Sequence, residues 1–115
     1  MRPEDPDSNY GLMNLLLLSK VPIPAENIHR IHGENDPKRE AIRYSQLVKD
    51  RVPNKKGCPE FDVVILGAGE DGHTSSIFPG QEALLTTGQI YVPSIHPQNG
   101  LKRVALTGIP ILNAR

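Results

Sequence analysis

One hundred and fifteen residues with a mass of 12.7 kDa suffice for one domain or part of one, not for two. Lys+Arg and Asp+Glu balance at 13 each, which removes the standing positive field that a general nucleic-acid or anionic-membrane binder needs. No apolar run approaches the ~20 residues of a membrane span, Met1–Asp5 has no signal-peptide core, and a lone Cys58 leaves no disulfide or CxxC pair, so a cytoplasmic setting is the expectation.

Pro and Gly together supply 21 residues, about 18% against an average near 12%, while aromatics reach only 4% with no Trp. Much of the chain is therefore turns, and the core must be aliphatic. Asp5-Pro6-Asp7-Ser8-Asn9 is a turn cluster in which Asp7 or Ser8 is placed to cap a helix. Tyr10–Lys20 reads as that helix, short and with leucines on nearly every face, which predicts burial; Pro22 and Pro24 end it. Asn27–Ile31 is a short strand candidate. Asp36-Pro37 opens a second helix with a capping carboxylate and a proline at the first position, where no hydrogen bond is lost. Ala41, Tyr44, Leu47 and Val48 then recur at helical spacing, with Lys38, Arg39, Arg43, Lys49 and Asp50 on the other faces, so this helix is amphipathic and ends before Pro53. Asn54-Lys55-Lys56-Gly57 comes next as a loop.

Phe61-Asp62-Val63-Val64-Ile65-Leu66 is the strongest strand candidate, and its unbroken apolar run predicts burial on both faces, as in a parallel sheet covered by helices. Gln89–Ile95 and Lys102–Thr107 are further strands, the first confined to an edge or bulge by Pro93. Helical character returns at Ile109–Arg115. This order predicts an α/β fold with a mostly parallel sheet flanked by helices, a three-layer Rossmann-like arrangement. Charge is unevenly placed: all 13 acids lie before residue 83, whereas residues 83–115 carry only Lys102, Arg103 and Arg115. Either compensating acids lie beyond residue 115, or this segment forms a small basic rim for an anionic ligand.

Gly67-Ala68-Gly69-Glu70-Asp71-Gly72 matches GxGxxG after a strand, but it does not read as a dinucleotide site. Such a fingerprint runs into a long helix and meets an acid about 20 residues on. Here no acid follows Glu82, and Pro79-Gly80 cuts any helix to about two turns. No Gly-Lys-Ser/Thr follows, so a phosphate P-loop fails too. The loop leads instead into Asp71-Gly72-His73-Thr74-Ser75-Ser76 at the C-terminal end of the predicted parallel strand, where open α/β sheets place their sites. A carboxylate two residues from an imidazole supplies a possible orienter and base; on spacing alone, turn-capping by the same pair stays open. His29 and His32 have an odd separation that points them to opposite faces of a strand, so no metal is expected there. Ser75 and Ser76 lack the GxSxG elbow of an acyl nucleophile. Cys58 has no adjacent base.

The stretch Phe61–Gly80, with its Gly67-Ala68-Gly69-Glu70-Asp71-Gly72-His73-Thr74-Ser75-Ser76-Ile77-Phe78-Pro79-Gly80, closely resembles the signature of the 6-phosphogluconolactonase family. Asp7-Ser8-Asn9-Tyr10-Gly11, Leu17-Leu18-Ser19 through Val21-Pro22-Ile23-Pro24, and Asn27–Ile31 are similar to its upstream block; Arg103–Thr107 with Leu112-Asn113-Ala114-Arg115 is similar to its downstream block. Members of that family are about twice this length. Their N-terminal strand, Ser-Gly-Gly-Ser-type phosphate loop, Asp-Glu-Arg stretch and C-terminal strand and helices have no counterpart here. The resemblance therefore implies that residues 1–115 are the central part of a single domain, incomplete at both ends.

By resemblance the activity is hydrolysis of 6-phospho-D-glucono-1,5-lactone to 6-phosphogluconate in the pentose phosphate pathway, with no metal or cofactor and a phosphorylated sugar lactone as the small-molecule partner. Such chemistry needs a water deprotonated as it attacks and a stabilised oxyanion. The expected assignments are His73 as general base, Asp71 as its orienter, and the backbone at Gly67, Gly69 and Gly72 as a wall around the sugar. Arg103 is the expected phosphate contact, since a guanidinium binds phosphate bidentately, and Asn9 is a further ligand candidate. Two alternatives stay open. One is a residual, non-catalytic piece that binds a sugar phosphate. The other is a glucosamine-6-phosphate deaminase-like enzyme, disfavoured because Phe78 stands where that branch carries Glu.

Overall fold

The computed structural model describes residues 1–115. Helix α1 spans Asn9–Leu16 and is capped by Ser8, whose hydroxyl oxygen accepts the Gly11 N–H at 3.0 Å. A 3₁₀ turn, Leu18–Lys20, comes next and is the main partner of α1 within the chain. The burial expected of this leucine-rich helix is not found: Leu12, Leu15, Leu16 and Leu17 are exposed and none of its residues is buried. An apolar face is buried only when another element covers it, and the turn Leu18–Lys20 is the one element of the chain in substantial contact with α1. Nor is Asn27–Ile31 a strand. A 3₁₀ turn occupies Ala25–Asn27, and the residues after it enter no ladder.

Helix α2, Pro37–Arg51, forms as its sequence requires. The Asp36 carboxylate accepts the Arg39 N–H at 3.1 Å, Pro37 fills the first turn, and Lys49 and Arg51 complement the dipole at the far end. Ala41 and Val48 are buried and Tyr44 and Leu47 half-buried, which is the apolar stripe read from the spacing. Residues 54–57 are more ordered than a loop. They form a tight hairpin in which β1 (Asn54–Lys55) pairs antiparallel with β2 (Cys58–Pro59). Lys56 and Gly57, at φ 55° and 76°, supply the two left-handed residues that a two-residue turn requires.

The core lies where α2 packs on a second hairpin, β3 (Tyr91–Ile95) and β4 (Lys102–Leu106). The pairing is antiparallel, running from Tyr91 opposite Leu106 to Ile95 opposite Lys102. Alternation sends Val92 and Ser94 inward, and Val92 meets Ala105 and Ile77 in the buried cluster, flanked by Leu84 from the 3₁₀ turn Glu82–Leu85. Tyr44 stacks edge-on against Tyr91 at 4.9 Å, and the Ser45 hydroxyl accepts the Tyr91 N–H at 3.1 Å, locking helix to hairpin. Pro93 sits in a strand paired on one side only, where its missing N–H is harmless. Helix α3, Gly108–Leu112, ends the chain, and Asn113 ties it back by donating to the carbonyls of Cys58 and Pro59 at 3.2 and 3.1 Å.

The main correction concerns residues 61–66. The segment read as the strongest strand joins no ladder, and Val63 and Ile65 are 75% and 77% exposed. A strand exists only beside a hydrogen-bonded neighbour, and the chain's other strands are already paired with each other. Both ladders are antiparallel, so no parallel pair forms within residues 1–115. No helix is long and apolar enough to cross a membrane.

Candidate active site

The glycine-rich loop closes on itself. Gly69 N–H donates to the His73 carbonyl and Gly72 N–H to the Gly69 carbonyl, both at 3.0 Å, while Ala68 bridges Thr74. The Thr74 hydroxyl donates to the Gly67 carbonyl at 2.9 Å. No helix comes after the loop, so the geometry that a dinucleotide fingerprint needs is absent from residues 67–81. Two glycines are required here for different reasons. Gly72 takes φ 85°, a conformation that side chains resist although the space around it is open. At Gly69 the constraint is room, because a Cβ there would run into the His73 ring. Gly67 shows neither demand.

The imidazole of His73 therefore lies over Gly69, and Asp71 holds it from one side. One carboxylate oxygen, Asp71 Oδ1, accepts both the His73 backbone N–H at 3.1 Å and the ring Nδ1–H in a short hydrogen bond. The ring hydrogen bond, then the backbone one, holds the Asp71 carboxyl below its ordinary range, so it is the ionised carboxylate that fixes the ring. With Nδ1 engaged as donor, the lone pair is left on Nε2, which has no partner within the chain. The imidazole also packs against Phe78, 2% exposed, at 4.6 Å between centroids with the rings tilted by 41°.

The far side of the loop is clamped to the second hairpin. Ser75 and Ser76 both adopt left-handed φ, 51° and 61°, a strained pair for non-glycine residues. The Ser75 hydroxyl donates to the Leu106 carbonyl at 2.8 Å, and the buried Ser94 hydroxyl donates to the Ser76 carbonyl at 2.6 Å. These two bonds set the distance from His73 to β4, and Ile77 then enters the core.

His73 opens onto a cleft of about 480 Å³ that Asn9, Gly67, Gly69 and Arg103 also line. Asp71 and Gly72 stand behind it rather than in its wall. Five of the seven residues singled out in the sequence thus meet at one cavity, and the other two shape the loop that carries His73. A second cavity of about 280 Å³ adjoins the first, sharing Asn9, Ser76 and Arg103 and adding the cations Arg30 and Lys102. Arg30 is taken up by Glu34 in two hydrogen bonds of 2.9 and 2.6 Å. Arg103, half-buried on β4, keeps a buried Nε with no partner in the chain. The basic tail of the sequence therefore reaches the cleft through Arg103, and the adjoining cavity through Lys102. No group of three or more His, Cys, Asp or Glu side chains gathers around a point, and His29 and His32 take no part in the cleft.

Sequence reasoning missed His96. It lies 23 residues beyond His73, yet its ring lines the same cleft and also packs against Phe78 at 4.7 Å, with 6.4 Å between the two imidazole centroids. The signal was the Asn99-Gly100 pair just after it, a turn sequence that folds β3 back on β4 and so returns His96 to the loop.

Comparison with known proteins agrees along the whole length. The family model described as glucosamine-6-phosphate isomerases/6-phosphogluconolactonase matches residues 1–115. A 6-phosphogluconolactonase of Haemophilus influenzae is 42% identical over 113 residues, 98% of this chain and 47% of the relative. One of Treponema pallidum is 39% identical over 112 residues, 97% of this chain and 46% of the relative. Among solved structures, a crystal structure of devB protein superposes with a TM-score of 0.91 at 45% identity, covering 99% of this chain and 48% of its own. The chain spans about half the length of the curated relatives it matches. On residues, loop geometry and whole-chain similarity together, the chain belongs to the glucosamine-6-phosphate isomerase/6-phosphogluconolactonase family, an α/β family.

Proposed function

We propose that residues 1–115 form the central part of a single 6-phosphogluconolactonase domain, and that the protein so built hydrolyses 6-phospho-D-glucono-1,5-lactone to 6-phospho-D-gluconate. The setting is the cytoplasmic pentose phosphate pathway, and the reaction uses no metal or cofactor. The observation that carries this reading is the Asp71–His73 pair facing a cleft that it shares with the unpartnered Nε of Arg103. A base with its tautomer set, and a cation waiting for an anion, are what a phosphorylated lactone needs.

The chemistry is short. His73 Nε2 takes a proton from water as the water oxygen attacks C1 of the lactone. The resulting oxyanion collapses, the bond from C1 to the ring oxygen breaks, and His73 returns its proton to that oxygen, leaving a free acid and a hydroxyl. Asp71 keeps the ring oriented and its Nδ1 protonated throughout. Arg103 pairs the substrate phosphate, with Asn9 beside it, and the backbone at Gly67 and Gly69 walls the sugar. The exposed segment 61–66 and the leucine face of α1 support a completed fold with a mostly parallel sheet between helix layers, in which residues outside 1–115 cover both.

The amino-sugar branch of the family is the competing substrate class. Phe78 speaks against it: its ring is buried under His73, where a carboxylate would be needed to assist an imidazole in ring opening. The deciding experiment assays acid release from the lactone and ammonia release from glucosamine 6-phosphate side by side, in a chain extended to the relatives' length. Acid release is expected to dominate; ammonia above the lactonase rate would overturn the assignment. Arg103→Ala in the same background should raise KM for the phosphorylated lactone and leave an unphosphorylated one nearly unchanged. Equal losses on both would make Arg103 structural.

A further inference from the structure

The turn between β3 and β4 is built around His96. Its N–H donates to the Leu101 carbonyl and its carbonyl accepts the Gly100 N–H, both at 2.9 Å, with Gly100 at φ 68°. The side chain completes the turn: Nδ1 accepts the backbone N–H groups of Gln98 at 3.2 Å and Asn99 at 3.4 Å. A neutral imidazole whose Nδ1 is an acceptor carries its proton on Nε2. His73 is held in the opposite sense, since its Nδ1 donates to Asp71 and its Nε2 holds the lone pair. One buried phenyl ring, Phe78, supports both imidazoles on the same cleft, at 4.6 and 4.7 Å. Two chemically identical side chains are thus set by different backbone surroundings into one acceptor and one donor, neither with an intramolecular partner at Nε2.

Ester hydrolysis needs one of each: a base for the attacking water, and a donor for the oxygen that gains negative charge. A separation of 6.4 Å between the imidazole centroids leaves room for a carbonyl group between a base and a donor. We propose that His96 Nε2–H is the donor to the reacting carbonyl oxygen of the lactone, and that it stabilises the oxyanion formed when the water activated by His73 attacks. The inference rests on the lactonase reading above and adds the residue that completes its charge balance. Arg103 and Asn9 are committed to the phosphate end, so no other side chain proposed for this cleft supplies that donor.

The test uses a chain extended to the relatives' length and a pair of variants that separate the two ring nitrogens. His96→Asn places an acceptor where Nδ1 sits and preserves the turn, but removes the donor. His96→Gln places an amide N–H near the Nε2 position and loses the turn contact. We expect His96→Asn to lower kcat by roughly 10²–10³ with KM within about threefold and the unfolding midpoint unchanged, the loss typical of one oxyanion donor. His96→Gln should recover part of that kcat despite a lower midpoint. A His96→Asn variant within about threefold of the wild-type kcat overturns the proposal, as does a wild-type histidine ¹⁵N spectrum placing the His96 proton on Nδ1. Absence of lactonase activity in the wild-type chain would overturn the substrate reading, and this inference with it. Wild-type activity with an undamaged His96→Asn overturns this inference alone.

Discussion

The β3–β4 hairpin and residues 61–66 are both apolar stretches, and the second is the more apolar. Yet Val92 and Ala105 are buried in the first, while Val63 and Ile65 stand in solvent in the second. The difference is partnership. Every residue of β3 faces one of β4, and α2 lies across them, joined by Tyr44 and Ser45. Residues 61–66 have no strand beside them. The glycine-rich loop spans the seam between these two regions. Its distal end is clamped by Ser75 and Ser94 to the packed half, and its proximal end leaves the bare segment.

The largest effect should come from His73, which separates catalysis from packing. Its ring rests on the core residue Phe78 without being part of the hydrophobic cluster. In a chain extended to the relatives' length, His73→Ala is expected to lower kcat by roughly 10²–10⁴ and leave the unfolding midpoint in place. Spontaneous opening of the lactone must be subtracted. A variant within about threefold of wild type would remove His73 from the mechanism. Asp71→Asn should lose less, because the ring stays in place while its tautomer preference weakens; a greater loss than that of His73→Ala would reverse the two roles.

A second comparison sets residues 1–115 alone against the same residues in the extended chain. With 61–66 and the α1 leucines uncovered, the proximal end of the loop has nothing to hold it, and displacements on the order of 1 Å cost about 10²-fold in rate. We therefore expect kcat/KM at least about a hundredfold lower for residues 1–115, with broad unfolding and association through the unpaired segment. A sharp melt, a monomer and an equal rate would mean that the packed half alone positions the site.

Within the loop the contrast becomes one of neighbouring glycines. Gly69→Ala should displace His73, because the added methyl enters the space of the imidazole, whereas Gly67 has no atom near enough to object. We expect about a tenfold or greater loss of kcat for Gly69→Ala and little change for Gly67→Ala. Equal behaviour of the two would show that the loop moves as a body and that the close approach is dispensable.

These contrasts also mark what the sequence makes legible. The cap and proline of α2, the Ser8 cap, and the Asp71–His73 pair are readable because each is decided within a few residues. The burial of α1 and the strand at 61–66 are misread because apolar content states a demand for cover and not its supply, which comes from distant chain. The antiparallel order of β3 and β4 depends on the turn at 96–101, whose Asn99-Gly100 signal is easily passed over. With it goes His96, since only that reversal brings it opposite His73. The convergence of Asn9 and Arg103 on one cleft is anticipated through family resemblance; local periodicity contains no trace of it.

The smallest effect belongs to the packed half and is read through pH. Glu40 on α2 is 1% exposed. Burial by itself would push its carboxyl up, but hydrogen bonds from the Arg43 guanidinium at 2.8 and 2.5 Å and from the His32 N–H at 2.7 Å outweigh burial and hold it below the ordinary 4.5. Glu34, bound by Arg30, is held down to about 2. A carboxyl depressed in the folded state contributes stability that is fully present above its unfolded pKa and is lost as pH falls through the folded value. The unfolding midpoint of the extended chain should therefore be level near neutrality and fall as pH drops below about 4.5 toward the folded-state values. Glu40→Gln should begin about 1–3 kcal/mol less stable at neutral pH, since it leaves Arg43 without its charged partner, and then fall less steeply in acid. Thermal melts from pH 7 to pH 3 on both proteins make the comparison. An acid slope unchanged by the substitution would show that Glu40 does not couple helix α2 to pH, and that the carboxylates controlling acid unfolding lie outside the packed half.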